Sequence, residues 1–102
     1  MFARVTKFDV RQERLPQGYL EILEHVMPAV TTQVGYSGGL ILANPENGKM
    51  LTVTLWEDKR NMQATDEASH WFRVFGAQAT EGTVTDVERY EVYYAQLTHP
   101  EP

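Results

Sequence analysis

The clearest pattern in this chain is an unbroken alternation of apolar and polar side chains between Met50 and Glu57. One face of the segment carries Leu51, Val53 and Leu55, and the other carries Thr52, Thr54 and Trp56. A period of two with β-branched residues predicts a strand whose apolar face lies in the core. The opposite face is half polar and ends in an aromatic ring, which suits neither open water nor a dry core. We therefore expect that face to line a cavity or an interface.

Periodicity elsewhere predicts three more strands and two helices. The strands are expected over residues 2–10, 40–44 and 83–97, and the helices over 15 to about 33 and after residue 61 to about 78. Pro28 predicts a kink or a restart within the first helix. The apolar stripe of the second helix is assigned to Ala64, Ala68, Trp71, Phe72 and Phe75. Asn47-Gly48 predicts a hairpin turn between the second and third strands.

The order of these elements, β-α-β-β-α-β, predicts an α+β fold of the ferredoxin-like type. In that arrangement the first and third strands are central in a four-stranded antiparallel sheet, and both helices cover one face. Residues 1–97 are expected to form a single domain, and residues 98–102 a disordered tail.

The predicted fold leaves one face of the sheet uncovered. Leu51, Val53 and Leu55 are expected beneath the helices, which turns Thr52, Thr54, Trp56 and also Phe8 toward the open side. A large exposed apolar face usually marks a partner surface, so we expect a second copy to cover it. The two facing sheets would then enclose a cavity in each protomer, lined by Thr6, Thr52, Thr54 and Trp56 together with Arg4.

Composition narrows the classes of function. The 102 residues are 42% hydrophobic and 23% charged, which predicts an ordered globular protein. The net charge of −5 and the lack of a Lys/Arg cluster disfavour nucleic acid as a partner. There is no cysteine, so disulfides and thiolate chemistry are excluded. No stretch reaches the eighteen or so apolar residues of a membrane span, and a cytoplasmic protein without a membrane partner is expected.

Several segments resemble the antibiotic-biosynthesis-monooxygenase-like (ABM) domain, one of the dimeric α/β-barrel families. They are Pro28 at the helix end, the turn Gly35-Tyr36-Ser37-Gly38, the strand end Leu55-Trp56-Glu57, and the helix stretch Ser69-His70 with Phe72. The resemblance covers roughly residues 2–95. It implies a homodimer that encloses a hydrophobic small molecule.

Some ABM-like enzymes oxidise phenolic substrates to quinones with molecular oxygen and no cofactor. Trp56 matches the strand tryptophan of their motif, and Arg73 matches the helix arginine. Thr52 and Met62 stand where that motif has asparagine and tyrosine. The resemblance therefore implies a monooxygenase, or a related oxidase or isomerase, for an aromatic molecule. Trp56 and Arg73 would be its catalytic residues.

In this interpretation, substrate binding is assigned to Thr6, Thr52, Thr54, Phe8 and His70. Three of the assigned residues have a plainer alternative: Trp56 would be an interface anchor, Arg73 a surface partner of Asp66 or Glu67, and His70 a solvated helix residue. His25 lies one helical turn after Glu21, but a third ligand is lacking there, so no metal site is predicted.

No tightly bound cofactor is expected. In haem-degrading relatives the motif has an asparagine, a tryptophan and a ligating histidine, where this chain has Thr6, Thr65 and a residue near Val74 or Phe75. Haem is thus an alternative ligand whose motif is not matched. Two further hypotheses stay open: a non-catalytic dimer that binds a hydrophobic ligand or haem, and a dimer with a collapsed pocket and a structural role.

Overall fold

Residues 1–98 are described by a computed structural model, and the fold in it is the predicted ferredoxin-like one. The strands are β1 (Phe2–Asp9), β2 (Tyr36–Asn44), β3 (Lys49–Trp56) and β4 (Thr83–Glu91). They form one antiparallel sheet in the order β2-β3-β1-β4, so β1 and β3 are the central strands. The predicted tail lies almost wholly outside the described residues.

The first helical region is a series of short segments. A 3₁₀ turn (Gln12–Arg14) leads into α1 (Leu15–Glu21), a π-helical turn (Ile22–Val26) and α2 (Met27–Val30). Pro28 lies in the first turn of α2, where its missing N–H costs no intrahelical hydrogen bond. The wider π turn just before it separates α2 from α1, so the expected restart at Pro28 is present, although α2 ends at Val30.

The second helical region divides at Thr65 into α3 (Lys59–Ala64) and α4 (Asp66–Thr80). Asp58 caps α3, because its carboxylate accepts a hydrogen bond from the backbone N–H of Asn61 over 2.8 Å. The cap closes a turn that would otherwise leave this N–H unpaired, and it fixes where the chain leaves β3.

Strand lengths follow from the backbone available for pairing. β4 ends at Glu91, not at residue 97, because Glu91 already pairs with Phe2 at the start of β1. β2 begins at Tyr36, earlier than expected, because β3 offers Trp56 as its partner. At the hairpin, Gly48 has φ of +75°, and a Cβ there would lie 1.9 Å from the carbonyl oxygen of Val10. Only glycine fits that position.

The prediction of which sheet face lies under the helices was wrong. Trp56 is 1% exposed and Arg4 3%, and both lie on the helix-covered face with Thr52 and Thr54. Leu51, Val53 and Leu55 instead lie on the uncovered face. Alternation fixes the period of a strand but does not say which side its neighbours occupy. The large side chains Phe8 and Met50 identify the covered face, since both are buried against the helices.

The stripe assigned to the second helix was right at Phe72, which packs against the core, but wrong at Trp71 and Phe75. Trp71 is 56% exposed and Phe75 54%, whereas Ser69, Gly76 and Thr80 are buried. The buried face is therefore built largely from small residues, which allow the helices and the sheet to approach closely. A Cβ on Gly76 would meet the Phe8 ring at 3.3 Å.

The space between helices and sheet has an apolar end and a polar end. The apolar end is a core of seven buried residues, which are Phe8, Val10, Leu15, Ile22, Val26, Val30 and Met50. Toward the other end of β1 and β3, the side chains facing the helices become Thr6, Thr52, Thr54 and Arg4. A strand pair with polar residues facing inward there cannot close into a dry core, and a cavity results.

Candidate functional site

The cavity lies within one protomer, between the sheet and the helices. It holds about 40 Å³ of space, room for roughly three water molecules. Its polar lining comes from β1, β3 and α4, and consists of Arg4, Thr6, Thr52, Thr54, Trp56, Ser69 and Arg73. Its apolar lining is shared with the core and consists of Phe8, Ile22, Val26, Met27, Val30, Phe72 and Gly76. The cavity expected between two facing sheets is thus replaced by one inside each chain.

Arg4 crosses from the sheet to the break between α3 and α4. Its Nη1 donates to Oγ of Ser69 over 2.5 Å, and its Nη2 donates to the carbonyl of Met62 and to the carboxylate of Asp66, each over 2.5 Å. Nη2 also lies 3.3 Å from Oγ1 of Thr65. These bonds satisfy acceptors exposed by the helix break, so Arg4 holds α4 at a fixed distance from β1.

Trp56 forms one wall of the cavity and is held by three contacts. Its Nε1–H donates to Oγ1 of Thr54 over 3.0 Å. The Tyr36 ring meets it edge to face, with the ring centroids 5.9 Å apart. The guanidinium carbon of Arg4 lies 5.5 Å from its ring centroid, in the range of a cation–π interaction. The indole is therefore fixed in place before any ligand arrives.

Burial and neighbouring charges shift the ionisation of the site. Burial lowers the pKa of Arg4, and Arg89 and Arg73 lower it further, while Asp66 opposes the shift. The pKa of Arg73 is also lowered, first by burial and then by Arg89. Burial works against the charge of Asp66, but the hydrogen bonds from Arg4 and Arg89 outweigh it, so the pKa of Asp66 falls below its usual value.

The structure brings together all but one of the predicted site residues. Trp56, Arg73, Thr6, Thr52, Thr54 and Phe8 line the cavity. His70 does not: its side chain is exposed on α4, with its ring edge to face on Trp71 at 5.7 Å. The alternative partner for Arg73 is not formed either, since Asp66 pairs with Arg4 and Arg89.

Sequence reasoning missed Ser69 and the role of Asp66. The signal that could have found Ser69 is the spacing of small or polar residues from the N-cap of α4 along the helix, at 65, 69, 73, 76 and 80. That spacing follows a helical face as well as any apolar stripe does. Asp66 gave no such signal, because its partner Arg4 is distant in sequence.

The side chains that line the cavity are suited to binding an anion and orienting a polar ligand. They are less suited to abstracting a proton from it. In the described part of the chain the cavity lining contains no carboxylate and no histidine. It offers two guanidinium groups, three threonine hydroxyls, one serine hydroxyl and an indole face. No group of three or more acidic or histidine side chains suited to a metal occurs within residues 1–98. None of the described helices is long and apolar enough to cross a membrane.

Comparison with solved structures places this architecture among ABM-like proteins. A monooxygenase from the gene ActVA-Orf6 of Streptomyces coelicolor, bound to nanaomycin D, matches with a TM-score of 0.72 and 14% identity, over 96% of this chain and 92% of that one. The haem degrader MhuD of Mycobacterium tuberculosis, with two haems in its active site, matches with a TM-score of 0.68 and 18% identity, over 94% and 99%.

A dimeric ferredoxin-like protein from an uncultured marine organism matches with a TM-score of 0.65 and 12% identity, over 96% of this chain and 100% of that one. Other matches are described as candidate antibiotic biosynthesis monooxygenases. The chain therefore has an ABM-like, ferredoxin-like fold, as the sequence resemblance implied. No family model matches the sequence, and no curated protein matches it.

Proposed function

We propose that this protein is a homodimeric, cofactor-independent monooxygenase, or a related oxidase or isomerase, that acts on a hydrophobic aromatic molecule. The observation that carries the proposal is the polar cavity walled by the fixed indole of Trp56. A fold of this size ordinarily fills such a space with aliphatic side chains, because an unfilled or polar core lowers stability. Retention of Arg4, three threonines and Ser69 there favours a ligand-binding role.

In the proposed oxidation, a phenol and one O₂ give a quinone and one water. One oxygen atom enters the ring, and the second leaves as water with the two hydrogens removed. Arg73 stabilises the phenolate oxygen as negative charge develops, and Thr52 and Thr54 orient the ring against Trp56. Since the lining residues include no base, the substrate has to bind already ionised or lose its proton to water.

The cavity admits an aromatic ring only after its wall moves. A void that holds benzene measures about 150 Å³, far more than the 40 Å³ found here. Phe72 is the half-buried apolar lining residue of α4, so its side chain is the one expected to swing outward.

The proposed dimer uses the uncovered sheet face. Its apolar side chains are Val5, Leu40, Leu42, Leu51, Val53 and Leu55. They form a continuous apolar patch across three strands. Leaving such a patch exposed to water costs free energy, which a partner surface would recover. The dimeric ferredoxin-like protein among the structural matches supports a second copy as the partner.

The experiment measures oxygen uptake with a panel of phenols for the wild-type protein and for Arg73→Gln and Trp56→Phe. Arg60→Gln is the matched control, because Arg60 is exposed on α3 and does not line the cavity. We expect the wild-type protein to take up oxygen. Arg73→Gln and Trp56→Phe should each reduce the rate of uptake by about tenfold or more, and Arg60→Gln should leave it unchanged. Equal uptake in all four proteins would remove this cavity as the site of reaction.

A non-catalytic ligand-binding role is the second candidate, favoured by the absence of a proton acceptor among the described lining residues. Ligand binding without any oxygen uptake in the same panel would support it. Haem is a poor fit for that role, since the described lining offers no histidine to ligate iron.

A further inference from the structure

The charges around the cavity do not balance. Arg4, Arg73 and Arg89 lie near one another, and among the described residues Asp66 is the only carboxylate that pairs with any of them. Asp66 is 2.5 Å from Nη2 of Arg4 and 3.2 Å from Nη2 of Arg89. Three guanidinium groups against one carboxylate leave two positive charges in excess, in a protein whose net charge is −5.

Two buried N–H donors of this cluster have no acceptor. Within residues 1–98, Nε of Arg4 and Nη1 of Arg73 are both buried without a hydrogen-bond partner. Arg4 is 3% exposed and Arg73 half-buried, and both line the cavity from opposite layers of the fold. Buried polar groups are nearly always paired, so two unpaired donors on residues that line one cavity call for an acceptor inside it.

The surroundings of Arg73 distinguish a ligand site from a purely structural arrangement, because Arg73 lacks the partners that Arg4 has. Arg4 has a structural role, since its guanidinium donates hydrogen bonds to Ser69, Met62 and Asp66 across the helix break. The side chain of Arg73 makes no hydrogen bond or ion pair with the rest of residues 1–98, yet it is half-buried and its pKa is lowered by that burial. A guanidinium that is partly desolvated without a partner destabilises the protein unless a bound anion recovers the lost interactions.

We infer that the cavity takes an anionic aromatic ligand, whose acidic group accepts hydrogen bonds from Nε of Arg4 and Nη1 of Arg73. A carboxylate satisfies this chemistry, with its ring beside Trp56. The inference rests on the proposed function in placing the ligand in this cavity, and it adds the charge of that ligand. Guanidinium groups suit such an acid because their donors match the two oxygens of a carboxylate.

Changes at Asp66 and at Arg73 are expected to have opposite effects on the binding of an acid. Its carboxylate occupies Arg4 and Arg89 and lowers the positive potential at the cavity. Removing the charge of Arg73 weakens the binding of an acid, whereas removing the charge of Asp66 strengthens it. A role confined to folding would produce no such opposed pair of effects.

The test compares 4-hydroxybenzoate with 4-hydroxybenzamide, which have nearly the same shape and differ by one charge at neutral pH. Binding is followed by the fluorescence of Trp56 in a Trp71→Phe background, because Trp71 is exposed and does not line the cavity. We expect the acid to bind about tenfold more tightly than the amide. In that background, Arg73→Gln brings the ratio close to one, Asp66→Asn raises it, and Arg60→Gln leaves it unchanged.

Each result decides something. Equal affinity for acid and amide overturns the inference about charge and leaves the aromatic ligand of the proposed function standing. Preference for the acid that survives Arg73→Gln overturns the site. If neither compound binds, the inference falls together with the ligand site on which it rests.

Discussion

Arg4 and Asp66 form an ion pair of 2.5 Å that joins the middle of β1 to the first turn of α4. The two partners differ in environment: Arg4 is 3% exposed and the side chain of Asp66 41%. Burial opposes the charge of Asp66, but hydrogen bonds from Arg4 and Arg89 prevail and hold its pKa below the usual 3.8. The carboxylate therefore contributes stability only while it is ionised.

Substitution of Asp66 by Asn is expected to lower the free energy of unfolding at neutral pH by about 1–2 kcal/mol. Breaking a fully buried pair costs about 3–5 kcal/mol, but the exposure of Asp66 screens the interaction and reduces the loss. Since the folded-state pKa is depressed, the contribution is complete above the unfolded-state value near 3.8 and is lost as pH falls through the lower folded-state pKa.

Urea denaturation across pH 7 to 2.5 measures this difference between the wild-type protein and Asp66→Asn. The difference should stay constant down to about pH 4 and shrink below that. Asp9→Asn is the matched control, because Asp9 pairs with Lys49 on the exposed surface and is expected to cost less than about 1 kcal/mol. A difference that persists unchanged at the lowest pH would show that Asp66 acts by something other than its charge.

Substitution of Thr54 by Val is expected to destabilise the protein by about 1–3 kcal/mol. Nε1 of Trp56 is a buried donor whose acceptor is Oγ1 of Thr54, and the isosteric valine leaves it unpaired. In a Trp56→Phe background the same substitution should cost almost nothing, because no donor remains to be satisfied.

Thr52→Val is the control for this cycle. Thr52 lines the same cavity two residues away, but its hydroxyl makes no hydrogen bond to other described residues. Chemical denaturation of the four Thr54 and Trp56 combinations gives the coupling energy. If Thr52→Val and Thr54→Val cost the same, the indole hydrogen bond does not fix the cavity wall.

The order of elements could be predicted from the sequence because the hydrophobic period changes clearly along the chain. Asn47-Gly48 fixed the hairpin, and the right-handed crossovers then fixed the strand order. The covered face could not be predicted from the same signals. The polar character of Arg4, Thr6, Thr52 and Thr54 predicted a cavity on the open face of the sheet, and only the position of the helices shows that the cavity lies inside the chain.

The helix stripe failed for a related physical reason. A search for large apolar residues finds Trp71 and Phe75, but the buried face of α4 carries Ser69, Gly76 and Thr80. Small residues are chosen there because α4 lies close to Phe8 and because the cavity needs room. Side chains that leave space give a weaker periodic signal than side chains that fill it.

Substitution of Gly76 by Ala is expected to destabilise the protein, although alanine is the better helix former by about 1 kcal/mol. The new methyl group would lie 3.3 Å and 3.4 Å from two carbons of the buried Phe8 ring, closer than an ordinary van der Waals contact. Overpacking of this kind costs about 1–3 kcal/mol and outweighs the helix preference. Thermal unfolding measures the net effect.

The Phe8→Leu substitution tests the cause of that loss. Leucine at position 8 removes the ring atoms that the new methyl group meets, so Gly76→Ala should be less harmful in the Phe8→Leu background than alone. Equal losses in both backgrounds would assign the effect to the helix itself and not to its contact with β1.

Substitution of Val53 by Lys is expected to convert the proposed dimer into a monomer. Val53 is central on the uncovered face, between Val5 of β1 and Leu40 of β2, so a charge there would be buried between two sheets. An unpaired buried charge should raise the dissociation constant at least about 100-fold. Sedimentation velocity measures this, with Leu20→Lys on the opposite, helical side as the control that remains a dimer. Dissociation by Leu20→Lys instead would move the interface to the helices.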